Sequence, residues 1–139
     1  APIDASFLFY VASAIYKSAK IQELLKKKWV ICDRYIYSTL ASHRVRGART
    51  SLIADIRKLP IRLPDFHFLL KVKETVRIMR AHIRDNRTLQ DCVPKKKRSI
   101  PAKMERALET FSPIVVDNTN PDVHVAVDNI IRNIFKKKL

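Results

Sequence analysis

Trp29-Val30-Ile31-Cys32-Asp33-Arg34-Tyr35 is the stretch that decides the fold, because an apolar run breaks abruptly into an acid and a base. The short β-branched run, flanked by lysines, predicts a buried strand. Open parallel sheets bind ligands just beyond the carboxyl ends of their strands. The planar fork of Arg34 suits a phosphate, and Asp33 can hold a magnesium ion, a bound water or Arg34 itself. A salt-bridged strand end without a ligand is an equal alternative from these residues alone.

Helical and strand patterns alternate along the rest of the chain. Helices are predicted at residues 4–27, 37–45, 51–58, 74–84, 100–111 and 121–135, and strands at residues 29–32, 66–72 and 114–116. This alternation is typical of an α/β fold whose parallel sheet is built with right-handed crossovers and flanked by helices.

The segment Asp33-Arg34-Tyr35-Ile36-Tyr37-Ser38-Thr39-Leu40-Ala41-Ser42-His43 resembles the Asp-Arg-Tyr/His motif of the thymidylate kinases, in which a Ser-Thr pair follows. Other blocks occur in that family's order. Those upstream are Phe7-Leu8-Phe9-Tyr10-Val11-Ala12, similar to the helix that presents an aromatic ring to thymine, and residues 24–31, similar to the run into the third strand. Those downstream are residues 63–70, similar to the Pro-Asp entry to the fourth strand, and residues 114–119, similar to the fifth strand and the loop that borders adenine. The resemblance covers nearly the whole chain.

The resemblance implies a P-loop nucleotide kinase-like fold. The family's phosphate-binding loop, Gly-x-x-x-x-Gly-Lys-Ser/Thr, needs glycines so that backbone N–H groups can approach the ATP phosphates. The chain has one glycine, Gly47. We therefore expect it to lack the first two strands and this loop, and to be a piece of a longer protein in preference to a degenerate relative. One thymidylate-kinase-like core fragment is expected over residues 1–139, with a lid at about residues 84–99.

The activity that the resemblance implies is transfer of the ATP γ-phosphate to a (deoxy)nucleoside monophosphate, with ATP and Mg²⁺ required. Arg34 would hold the acceptor phosphate, and Asp33 would orient it or bind magnesium. The chain alone would be inactive. Its unpaired sheet edges would be covered by the missing amino-terminal segment or by another chain, and a homodimer is left open.

The acceptor base would be held by residues on either side of Asp33 and Arg34 in the sequence. The resemblance implies that Phe9 stacks on the base, with Tyr10 as the alternative, although aromatic rings on an apolar helix face are as often core. Ser38 and Thr39 would bond the base edge, or would only begin a helix. His43 stands where the family often has Gln, and a satisfied or surface histidine is the commoner case.

The ATP side of the site is implied further along the chain. Asp117-Asn118-Thr119 would border the adenine, and three arginines, Arg80, Arg84 and Arg87, would clamp the transferring phosphates. A solvated basic helix face is the alternative for these arginines. Two departures leave the acceptor's identity open: Ser13 stands where the family has an arginine, and Lys71 replaces the aspartate that closes its fourth strand.

Composition favours a cytoplasmic protein. Cys32 and Cys92 lack metal-ligand spacing, and no apolar stretch approaches the ~20 residues that cross a membrane, so no membrane partner is expected. The net charge of +15 supports an alternative function, a non-catalytic basic module that binds nucleic acid or a protein partner. For the kinase hypothesis, only weak non-specific nucleic acid binding is expected.

Overall fold

A long first helix, α1 (Ile3–Leu25), begins the computed structural model, which describes residues 2–83 and 99–136. Four residues spaced by three or four positions are buried on one face of it: Phe7, Val11, Ala14 and Ser18. This spacing is the period of a helix that faces a core on one side. The second helix, α2 (Ile36–Val45), packs against α1 and buries Ile36 and Leu40 in the same core.

Residues 1–65 and 100–111 form one compact unit. Phe7 and Ile36 are fully buried at its centre, and half-buried side chains from residues 53–63 pack around them. Its last segment belongs to a helix, α4 (Ser99–Glu109), and to Phe111, whose ring lies 5.0 Å from that of Tyr37.

Residues 66–99 and 112–139 form the second compact unit. Its described elements are β1 (Phe68–Lys71), α3 (Glu74–Ile83), β2 (Ile114–Asp117) and α5 (Val123–Lys136). The two strands pair in parallel, with Phe68 opposite Ile114 and Lys71 opposite Asp117. Val116 and Ala126 are buried, so β2 and α5 share an apolar contact. An α/β arrangement with parallel pairing is therefore present.

The strand predicted at residues 29–32 is wrong for the described structure, which has no strand there. A parallel strand needs a neighbour for its backbone N–H and C=O groups, and no described segment pairs with these residues. Ile31 is accordingly 96% exposed. The predicted lid, at about residues 84–99, lies outside the described ranges except for its last residue, Ser99.

The helix predicted at residues 51–58 is also wrong, because two short 3₁₀ turns replace it, at Thr50–Leu52 and Ile56–Lys58. Asp55 lies in extended backbone between them, and its carboxylate accepts hydrogen bonds from the backbone and side chain of Arg57. Such a local bond gives the backbone an alternative to the helix. Within the described ranges, no helix is long and apolar enough to cross a bilayer.

Candidate active site

Asp33 and Arg34 lie in the loop between α1 and α2, and both side chains are exposed. Arg34 has a φ of 58°, in the left-handed region that residues other than glycine rarely occupy. The next residue, Tyr35, is extended, and α2 begins directly after it. The side chain of Tyr35, the residue before the first turn, makes no capping hydrogen bond to α2. A guanidinium and a helix amino terminus are adjacent here, and both favour an anion.

Tyr35 fixes this loop to α1. Its hydroxyl donates to the backbone oxygen of Ala14 at 3.4 Å, and its ring packs against the core. Burial raises the pKa of the Tyr35 hydroxyl above its usual value, and the hydrogen bond with Ser18 partly opposes this. The third residue of the motif therefore positions the two before it.

Phe9 and Tyr10 present open ring faces on α1. Phe9 is 70% exposed and Tyr10 51%, and their rings meet edge to face with centroids 5.7 Å apart. Neither belongs to the core, which takes Phe7 from the same turn. Exposed aromatic rings of this kind can stack on a nucleobase.

His43 is buried next to the Tyr10 ring, with only 3% of its surface exposed. Its Nδ1 is 2.9 Å from the backbone oxygen of Thr39, and its Nε2 is 3.4 Å from the Ser6 hydroxyl. The imidazole centroid is 5.4 Å from that of Tyr10 and 5.5 Å from that of Phe7. Phe9, Tyr10 and His43 therefore form a chain of ring contacts, in which Tyr10 touches both the exposed Phe9 and the buried His43.

Ser38 and Thr39 are half buried in the first turn of α2. Their helix also carries His43, so the hydroxyl pair and the imidazole share one element. Thr39 contributes its backbone oxygen to His43 Nδ1. All the candidate acceptor residues therefore belong to the first compact unit.

The candidate ATP-side residues belong to the second unit, at the end of β2 and in the loop that follows it. The Asp117 carboxylate accepts from the backbone N–H of Thr119 at 2.8 Å. Hydrogen bonding to the side chain and backbone of Thr119, assisted by the charge of Lys73, lowers the pKa of Asp117. Asn118 donates its N–H to the backbone oxygen of Lys71 at 2.7 Å. This hydrogen bond joins the loop to the end of β1.

Arg80 lies on α3 and donates to three carbonyl oxygens of this loop, those of Asn118, Thr119 and Asn120. Arg84 and Arg87 lie outside the described residues. The sequence interpretation missed Lys73, whose N–H donates to the Thr119 hydroxyl at 3.2 Å. The sequence could have indicated this contact. Neighbouring parallel strands end at the same edge of a sheet, so the segments that follow β1 and β2 lie side by side.

A sequence profile of the thymidylate kinases matches residues 2–130. The chain belongs to the thymidylate kinase family. The similarity predicted from the Asp33-Arg34-Tyr35 motif is thus confirmed, and family membership implies the P-loop kinase fold. Thymidylate kinases are ATP-binding transferases of nucleotide biosynthesis.

Several curated relatives are similar over most of this chain. A probable thymidylate kinase of Methanocaldococcus jannaschii is 32% identical over 124 residues, which are 89% of this chain and 63% of that protein. One of Pyrococcus abyssi is 31% identical over 140 residues, covering 93% of this chain and 67% of the relative. One of Methanococcus maripaludis strain C6 is 26% identical over 136 residues, covering 94% and 68%. The chain therefore spans about two thirds of the length of these relatives. No solved structure matches it.

Proposed function

We propose that this chain carries the acceptor site and part of the ATP site of a nucleotide kinase of thymidylate kinase type. The reaction is transfer of the ATP γ-phosphate to a (deoxy)nucleoside monophosphate. The observation that supports it best is the exposed Arg34 guanidinium beside the amino end of α2. Phosphoryl transfer depends almost entirely on positioning and charge stabilisation, and this arrangement supplies both for an acceptor phosphate.

The acceptor base is proposed to lie against Phe9 or Tyr10. Their exposed rings supply the stacking surface. The buried His43 ring packs against the Tyr10 ring, with their centroids 5.4 Å apart. Ser38 and Thr39 supply hydroxyl groups for the base edge. His43 then acts as a positioning residue for the base site, because its own ring nitrogens face protein atoms.

Asp33 is the proposed magnesium ligand. An exposed carboxylate suits this ion, which keeps several waters and binds one or two carboxylates together with substrate phosphates. Within the described ranges, no three acidic, histidine or cysteine side chains lie close enough together to hold a metal ion. When bound, the ion would neutralise charge that develops on the phosphates.

The ATP base is proposed to border Asp117, Asn118 and Thr119. Arg84 and Arg87 are proposed to clamp the transferring phosphates from a lid at about residues 84–99. Because the chain's one glycine cannot form the family's phosphate cradle, the 139 residues alone are proposed to be inactive.

The test is steady-state transfer from ATP to thymidine monophosphate by the longest protein that the gene encodes. Arg34→Ala should lower kcat/KM for the acceptor roughly 100-fold, since a charge-assisted hydrogen bond contributes up to about 3 kcal/mol. Asp33→Asn should be nearly as harmful. Arg46→Ala, an exposed arginine at the other end of α2, is the matched control.

Turnover close to wild type in a folded Arg34→Ala variant would reduce Arg34 to a structural role. Metal-dependent transfer by purified residues 1–139 would refute the proposed inactivity of the isolated chain.

A further inference from the structure

Arg80 joins two segments that are far apart in sequence. Its Nη1 lies 2.9 Å from the Asn118 carbonyl oxygen, and its Nη2 lies 3.4 Å from that of Thr119 and 2.9 Å from that of Asn120. Three consecutive carbonyl dipoles that converge on one point repel one another unless a cation lies among them. The half-buried guanidinium supplies that cation, in a planar fork that can serve several acceptors together.

The same loop is held at other points by the segment that precedes α3. The N–H of Asn118 bonds to Lys71, and the N–H of Lys73 bonds to the Thr119 hydroxyl. These bonds fix the start of the loop, whereas Arg80 reaches through to Asn120. Arg80 is thus the contact that holds the loop's far end to α3.

Arg77, one turn earlier on α3, is in a different environment. Its guanidinium pairs with Glu74 on the same helix, and both side chains are substantially exposed. Exposed pairs with this spacing contribute little to stability. Substitution of either arginine by a neutral residue removes one charge from α3. Substitution of Arg80 also removes the three hydrogen bonds to the loop carbonyls.

We propose that Arg80 is a positioning residue for nucleoside triphosphate binding. It sets the backbone of Asn118–Asn120 and so the shape of the surface against which the ATP base lies. This inference rests on the proposed function, which places that base at Asp117–Thr119. It gives Arg80 a task different from clamping the transferring phosphates, because its terminal nitrogens are engaged by the loop carbonyls.

The test compares Arg80→Gln, Arg80→Lys and the control Arg77→Gln. In ligand-free protein, amide hydrogen exchange at Thr119 and Asn120 should quicken about tenfold or more in Arg80→Gln and stay unchanged in Arg77→Gln. In transfer assays, Arg80→Gln should raise KM for ATP roughly tenfold and leave kcat and the acceptor KM within about twofold. Arg80→Lys keeps the charge but not the fork, and should recover part of both effects.

Unchanged amide exchange in Arg80→Gln would overturn the proposal. So would altered exchange with an unaltered KM for ATP, because the loop would then not shape the nucleotide site. A fall in kcat at constant KM would instead assign Arg80 to the transferring phosphates. A wild-type protein without transfer activity would refute the proposed function together with the ATP role, while the amide data would still report whether Arg80 holds the loop.

Discussion

At the scale of single residues, the backbone of Arg34 is the least ordinary feature of the proposed acceptor site. Its φ of 58° costs a residue with a side chain about 1 kcal/mol or more, and only the surrounding structure holds it there. Strain of this kind is common where a side chain must be aimed at a ligand. The backbone conformation that exposes the Arg34 guanidinium therefore lowers the stability of the folded protein.

A comparison of Arg34→Gly with Arg34→Ala separates strain from function. Glycine adopts this φ without a steric penalty, so we expect the Gly variant to have a free energy of unfolding about 1 kcal/mol above that of the Ala variant. Both variants should lose acceptor binding alike, because both lack the guanidinium. Urea denaturation measures the first quantity and titration with a nucleoside monophosphate the second. Equal stability of the two variants would show that the residue relaxes out of the left-handed region.

His43 illustrates what the sequence revealed about single residues. His43 lies in the helix predicted at residues 37–45, which is confirmed as α2. Its burial was not predicted, although Ile36, Leu40 and His43 are spaced by four and three residues and all three are buried. The helical spacing of these three residues was enough to predict that His43 is buried. The ring partners of His43 come from α1, and no local pattern identifies them.

At the scale of elements, helices were predicted more reliably than strands. The prediction of residues 4–27 corresponds to α1 at Ile3–Leu25, because a helix forms its hydrogen bonds within its own sequence. A strand takes its bonds from a distant partner. The predictions at 66–72 and 114–116 are confirmed as β1 and β2, which pair with each other. The prediction at 29–32 failed because no described segment pairs with it.

The start of α5 shows the limit of cap signals. The sequence predicted a helix over residues 121–135, directly after Asn120, yet α5 begins at Val123. Asp122 accepts the N–H of His124 at 2.9 Å and so takes the capping place. Asn120 instead accepts the N–H of Asp122. Two cap-forming residues with one residue between them cannot be ranked without the backbone geometry.

Asp4 and Arg49 link the first turn of α1 to the segment after α2, and this link predicts an acid dependence of stability. Both the backbone N–H and the Nε of Arg49 donate to Asp4, at 2.8 and 2.7 Å. The backbone hydrogen bond from Arg49, and then its side chain, lower the pKa of Asp4 below its usual value in the folded protein. The stabilisation is therefore present above about pH 4 and is lost as the pH falls through the folded-state pKa.

Asp4→Asn should lower the urea midpoint at pH 7, and the difference from wild type should shrink as the pH falls below about 4. Asp128→Asn, an exposed acid on α5, is the control for removal of one negative charge. A difference from wild type that stays constant from pH 7 to 2 would mean that the carboxylate charge is not what stabilises the link.

At the scale of the whole molecule, each compact unit carries the candidates for one substrate. Acceptor candidates from Phe9 to His43 lie in the first unit, and the loop at Asp117–Thr119 lies in the second. The family that these blocks predicted is confirmed over residues 2–130. It could not predict the bonds from Arg80 to the loop, which join residues about 40 positions apart.

The net charge of +15 belongs to the molecule as a whole and distinguishes the kinase hypothesis from the basic-module alternative. Such charge attracts any polyanion, so binding to a random DNA duplex is expected at low salt. For Z phosphate contacts, the logarithm of the binding constant falls with that of the salt concentration with a slope of about −0.9Z. If the charge serves only nucleotide phosphates, the duplex affinity should be weaker than micromolar at physiological salt. Fluorescence anisotropy at about 50 and 200 mM salt measures both quantities, and sub-micromolar binding that persists at the higher salt would favour the nucleic-acid module over the kinase.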